Sequence, residues 1–185
     1  MKNLYLLFVT AILTCNFSIA QYQVSTDVQP KNILLEEFTG INCGNCPSAH
    51  KIAANLLLAQ ENTFYSIAIY SGYYASPSSD QPDFCPPDGE ELDATFATGS
   101  GYPCGMINRH TFAGTSPIMS RSNWTLCAKE IHQENAPVNL YVTSTYSAAD
   151  AQLTVHVEGY YTADVDAQQN LLTVALTQNN IRGPQ

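Results

Sequence analysis

Cys43 and Cys46 enclose Gly44-Asn45 where an apolar run ends and a helical pattern begins. The run is residues 31–38, and the helical pattern is residues 47–57, opening on Pro47. Two cysteines three apart at a helix N-terminus share one turn. The first then lies among unpaired backbone N–H groups, where the positive end of the helix dipole favours thiolate over thiol. A thiol of lowered pKa is a nucleophile, and a second thiol within reach resolves the mixed disulfide it forms. The chemistry this predicts is thiol–disulfide exchange. Two other readings stay open. The pair can be a permanent local disulfide fixing the helix start, although its placement favours the redox reading. It can also join His50 and a distant cysteine in a metal site, but no second CxxC or paired histidines complete four ligands at finger spacing.

The elements that position the pair follow from periodicity. Residues 63–70 are aromatic and β-branched and predict a buried strand. Residues 71–89 are rich in Ser, Pro, Gly and Asp and predict a long loop, of a length that often lies over a functional site. Residues 90–97 fit a short helix with acidic residues in its first turn. Gly101-Tyr102-Pro103 then leads into an apolar strand, and an aromatic residue before proline raises the cis population. Ser116-Pro117 predicts a helix reaching about Gln133, with Trp124, Cys127, Ala128 and Ile131 on one face. On that reading Cys127 is a buried, inert thiol. His50 is expected on the exposed side of its helix, and His110, His132 and His156 do not cluster.

From Pro137 the period changes to two. Leu140, Val142 and Tyr146, then Leu153, Val155 and Val157, then Leu172, Val174 and Leu176 predict three half-buried antiparallel strands. A sandwich typically uses ~7 strands, so these read as the start of a β-rich domain that is truncated or completed by a partner.

Composition narrows the setting. The chain has 185 residues, a charged fraction of 12% and a formal net charge of −9. So acidic a chain disfavours nucleic acid and anionic lipid headgroups as partners. Lys2, the apolar residues 4–13 and Ser18-Ile19-Ala20 read as a signal peptide over residues 1–20. Lipid attachment at Cys15 is the alternative processing route. The apolar stretch is shorter than the ~20 residues of a spanning helix, and no later segment reaches that length, so no transmembrane segment is expected. In an exported chain the remaining cysteines are Cys43, Cys46, Cys85, Cys104 and Cys127, and oxidising surroundings permit disulfides.

Strand, CxxC at a helix start, strand, helix and an X-Pro turn into another strand is the thioredoxin-like order. Glu37, six residues before Cys43, stands where thioredoxins carry a buried acid. The strings at residues 35–40, 43–50 and 101–109 further resemble the outer-membrane-protein family called Omp twenty-eight-related, exported bacterial proteins with a thioredoxin-like domain followed by a β-rich one. The resemblance covers residues 30–180. It implies an α/β fold class with a thioredoxin-like domain over residues 21–135 and a partial antiparallel β-sandwich-like domain over residues 136–185. It implies an attacking thiolate at Cys43, a resolving thiol at Cys46, a proton acceptor at Glu37 and a cis-proline at Pro103. Tyr102 and Cys104 would flank bound substrate, and Cys104 departs from the common thioredoxin pattern. Cys104 is expected in a structural bridge with Cys85, or reacting with the dithiol itself. The partners implied are protein thiols or disulfides outside the cytoplasm, in the periplasm, outer membrane or cell surface. No cofactor beyond the dithiol and no metal is expected. A surface binding module on the same scaffold, its disulfide only structural, is the rival function.

Overall fold

A computed structural model describes residues 23–165 and 170–184. The predicted leader and Cys15 lie outside them. The strands are β1 (Ile33–Thr39), β2 (Phe64–Tyr70), β3 (Cys104–Ile107), β4 (Met119–Ser120), β5 (Val138–Ser147) and β6 (Gln152–Tyr161). The α-helices are α1 (Cys46–Ala59), α2 (Gly72–Ala75), α3 (Pro87–Leu92) and α4 (Trp124–His132). A π-helical stretch, Asp93–Ala97, follows α3 directly.

Four strands form one sheet in the order β2-β1-β3-β4. The β1–β2 pair is parallel, so it needs a crossover, and α1 supplies it. The β1–β3 and β3–β4 pairs are antiparallel. The connectivity is the thioredoxin-like one that the element order predicts.

Alternation along β1 sends Ile33, Leu35, Glu37 and Thr39 to one face and Leu34, Glu36 and Phe38 to the other. On the first face Ile33 and Leu35 pack with Ala49, Ala53 and Leu56 of α1 and with Trp124, Ala128 and Ile131 of α4. On the second, Phe38 packs with Ile69, Ala97, Cys104 and Met106. Both faces are covered, so β1 is buried almost throughout, including its two glutamates. Gly105 lets α4 close on the sheet: a Cβ there would stand 2.7 Å from the Glu36 carbonyl and 3.0 Å from the Trp124 ring.

Two expectations are corrected here. The helix predicted from Pro117 begins only at Trp124, because Met119 and Ser120 pair with Gly105 and Cys104 as a short edge strand. The third strand predicted around residues 172–176 does not form. β5 and β6 pair with each other across ten residues, while Leu172, Val174 and Leu176 stay exposed without a ladder partner.

The chain before β1 is tied to the segment leading into the hairpin and to the hairpin itself. Lys31 N–H donates to the Glu134 carbonyl and Ala136 N–H to the Gln29 carbonyl, both at 2.9 Å. Asn139 Nδ2 donates to the carbonyls of Ser25 and Asp27. Glu158 Oε2 accepts from the N–H groups of Gln23 and Val24.

Candidate functional site

The helix carrying the dithiol starts at Cys46, one residue before the predicted start. Pro47 supplies a φ already suited to a first turn, and its missing N–H costs nothing there. Cys46 N–H donates to the Cys43 carbonyl at 3.1 Å, and Cys43 N–H donates to the Gly40 carbonyl at 3.1 Å. Cys43 therefore sits in a hydrogen-bonded turn ahead of the helix rather than inside its first turn. The two sulfurs are joined as a disulfide. Both residues are buried, Cys43 at 3% exposure and Cys46 at 0%.

Glu37 lies on the face of β1 that α1 covers and is 1% exposed. Its Oε2 meets His50 Nδ1 at 3.4 Å, and Oε1 has no hydrogen-bond partner among the described residues. Glu36, next along the chain, meets the opposite face. There Arg109 Nε and Nη2 reach its two carboxylate oxygens at 2.8 and 2.6 Å, a bidentate pair. That pairing raises the Arg109 pKa further, and the guanidinium also stacks over the Phe96 ring at 5.1 Å. The sequence leaves open which glutamate serves the site; the face each occupies and the partner each has distinguish them. His50 is a correction to the sequence reading. It lies one turn beyond Cys46 on the inward side of α1, and its Nε2 is 3.1 Å from Thr39 Oγ1.

The Tyr102–Pro103 peptide is cis, as the Gly-Tyr-Pro context predicts. Pro103 is buried at the start of β3. The Tyr102 hydroxyl donates to Asp93 Oδ1 at the head of the π-helical stretch, so the Ser71 hydroxyl, 2.8 Å away, donates to it in turn. Burial, then the Asp93 carboxylate, pushes the Tyr102 phenol well above its ordinary value. Its ring contacts Phe38 and Tyr74 with centroids 6.5 and 5.9 Å apart. Tyr102, Pro103 and Cys104 line an open cleft of ≈ 450 Å³ with Ile118 and Arg121. A second cleft, ≈ 480 Å³, is lined by Asn42, Tyr73, Tyr74, Ser76 and Ser78 and adjoins Cys43 through Asn42.

The bridge expected between Cys85 and Cys104 is absent, and Cys104 is not bonded to Cys43 or Cys46; Cys85, Cys104 and Cys127 are free thiols. Cys104 points into the second face of the sheet beside Phe38 and Met106, where burial, then Asp93 and Glu37, push its pKa up to about 12. Cys85 donates to the Ala75 carbonyl at 3.5 Å. Its burial and the neighbouring Asp83 push it up to about 11. Neither thiol ionises near neutral pH. Among the described residues no cluster of three or more His, Cys, Asp or Glu is placed to hold a metal ion, and Cys43 and Cys46 are bound to each other.

Sequence reasoning placed His50 only as an exposed helix residue or an alternative metal ligand, and did not find Thr39, Asn42 and the Tyr73-Tyr74 pair. His50 carried a usable signal, its four-residue spacing from Cys46. Asn42 and the tyrosines carried none, because the loop brings them in. Asn42 N–H donates to the Tyr74 carbonyl, and Asn42 Nδ2 to the Ser76 carbonyl at 2.8 Å. Gly40 makes this approach feasible, since a Cβ there would come within 2.3 Å of the Tyr74 backbone.

These features define a thioredoxin-like α/β fold carrying a CxxC disulfide, with a separate two-stranded antiparallel sheet. No protein-family model and no curated protein matches the chain. Among solved structures, HBP35 of Porphyromonas gingivalis is similar at TM-score 0.54 and 20% identity, over 72% of this chain and 44% of that one. A structural-genomics protein of Agrobacterium tumefaciens aligns at TM-score 0.46 and 10% identity, over 75% and 72% of the two chains. The first likeness is one of fold, and this chain spans under half the length of HBP35.

Proposed function

We propose that this chain is an exported, thioredoxin-like thiol–disulfide oxidoreductase acting on protein cysteines outside the cytoplasm. The observation that carries the reading is the Cys43–Cys46 disulfide at the head of α1, the helix whose His50 meets Glu37, a buried carboxylate short of hydrogen bonds. A buried acid so poorly satisfied costs stability and is retained where a proton must be taken up. Cys43 is the attacking sulfur, Cys46 the resolving one and Glu37 the proton acceptor. The cis-Pro103 loop, with Tyr102 and Cys104 on its cleft, presents backbone to an extended substrate segment. Export, and membership of the Omp twenty-eight-related family, rest on the sequence reading. A disulfide agrees with an oxidising compartment. No described helix is long and apolar enough to cross a membrane.

The test is insulin reduction. Cys43→Ser should abolish it, and activity surviving that change would sink the catalytic assignment. A second reading has its own observation. With Cys43 only 3% exposed, the disulfide also suits a structural staple in a surface binding module. The reduction potential separates the two readings. A value above about −250 mV marks an exchange site, and one below about −300 mV marks a staple.

A further inference from the structure

If Cys43–Cys46 is a working dithiol, its reduced form reduces a substrate disulfide in two steps. Cys43 Sγ attacks one substrate sulfur, the substrate S–S bond breaks, and the first substrate thiolate leaves. Cys46 then gives up its proton and attacks Cys43 Sγ. The Cys43–Cys46 bond forms, the mixed disulfide breaks and the second thiolate leaves, so two electrons have passed to the substrate. The Cys46 proton needs a base and then an exit. Cys46 and Glu37 are both shut off from water. A sealed carboxylate can accept one proton, yet it must be emptied before the next turnover.

We propose that His50 empties it, as a positioning and relay residue that carries the Cys46 proton from Glu37 to solvent. Its ring spans the two environments, with Nδ1 facing Glu37 Oε2 while the side chain is 30% exposed. With its proton on Nε2, the neutral ring directs that N–H at Thr39 Oγ1 and offers Nδ1 as the acceptor. After transfer the imidazolium has an acceptor for each N–H, the Glu37 carboxylate and the Thr39 hydroxyl. Thr39 is fully buried on β1 and so fixes the ring plane. The other ionisable groups that sense Glu37 are Tyr70 on β2 and Cys104 on β3. Both are raised above their ordinary values, stay neutral near pH 7 and do not compete for the proton. Histidine is the side chain whose ordinary pKa suits a shuttle in that range.

The experiment is stopped-flow reaction of the reduced protein, in a Cys85→Ser background, with 5,5′-dithiobis(2-nitrobenzoate) from pH 5 to 9. Attack by Cys43 releases one nitrothiobenzoate, and resolution by Cys46 releases the second. His50→Gln should leave the first phase unchanged, slow the second about tenfold or more and flatten its pH profile. Added imidazole should restore part of the rate. His50→Gln combined with Glu37→Gln should be no slower than Glu37→Gln alone. A second phase with wild-type rate and pH profile in His50→Gln overturns the relay. Thr39→Val gives an independent check, since it keeps the ring and removes the Nε2 partner; an unaltered pH profile there counts against the relay as well. Failure of the underlying reading looks different, because wild-type protein would then show no second phase, or Cys46→Ser would retain it.

Discussion

Glu36 and Glu37 are neighbours in sequence, both buried, and differ in what meets them. Glu36 has a bidentate guanidinium, and Glu37 has a histidine at 3.4 Å and one oxygen without a hydrogen bond. Removing the partner of Glu36 and neutralising Glu37 should therefore affect stability differently. Arg109→Ala strands a buried charge and should cost about 2–3 kcal/mol in urea unfolding, since Arg109 itself is partly exposed. Glu37→Gln removes the desolvation cost of a poorly solvated carboxylate and should leave stability equal or higher by about 1 kcal/mol while activity falls. Thiol reactivity follows the same local physics. With Cys85 at about 11, on the order of one part in a thousand is thiolate at pH 8. Iodoacetamide at that pH should label Cys85 and Cys104 only slowly in folded protein. After mild reduction, mass spectrometry should find Cys43 modified first, and equal labelling of Cys104 would refute this ordering.

At the scale of elements, the sheet was legible because β1, β2 and β3 announce themselves by apolar content and α1 by its cysteines and Pro47. Its edge was not. A two-residue strand such as β4 has no periodicity to read, and pairing with β3 overrode the Ser116-Pro117 helix signal. The loop after β2 was expected by composition to lie over the site, yet its contacts were not foreseeable. Its fastening on Asn42 uses side-chain bonds to Ser76 and Gln81 that no spacing rule predicts. The consequence is testable. Asn42→Ala should loosen residues 72–76 from the turn before Cys43 and speed reduction of the disulfide by dithiothreitol several-fold. An unchanged rate would show that the loop does not guard the sulfurs. His50 was misplaced for a related reason. Its helix has a broad inward stripe, and only the polar pair on β1 shows that a histidine belongs there.

Over the whole molecule, two expected strands became a hairpin and the third did not pair. Alternation specifies which residues want burial, but a ladder also requires a free edge in register. The lead-in at Gln23 and Val24 is held to this hairpin by Glu158. The N–H of Gln23, before the smaller contributions of His156 and Val24, holds the Glu158 carboxyl below its ordinary value. A group depressed on folding contributes its stability above the ordinary carboxylate pKa and loses it as the pH falls through the depressed one. Hydrogen-exchange protection of the Gln23 and Val24 amides should accordingly collapse in acid while that of β1 persists. Simultaneous loss of both would count against a local clamp.

The ties that flank the sheet also have a mechanical meaning. Entering and departing chain run side by side in opposite directions, with rungs at Ser25 and Asp27–Asn139, Gln29–Ala136 and Lys31–Glu134, the last reinforced by a 2.7 Å ion pair, and Gln23 is held further on by Glu158 of β6. If the protein were stretched between the segment before residue 23 and the far end of the hairpin, these rungs would be loaded one after another, as in a zipper. Such a seam yields in small steps at low force. Tension would be spent there before any of it reached β1, so the geometry around Cys43 would be insulated from pulling on the chain that flanks it.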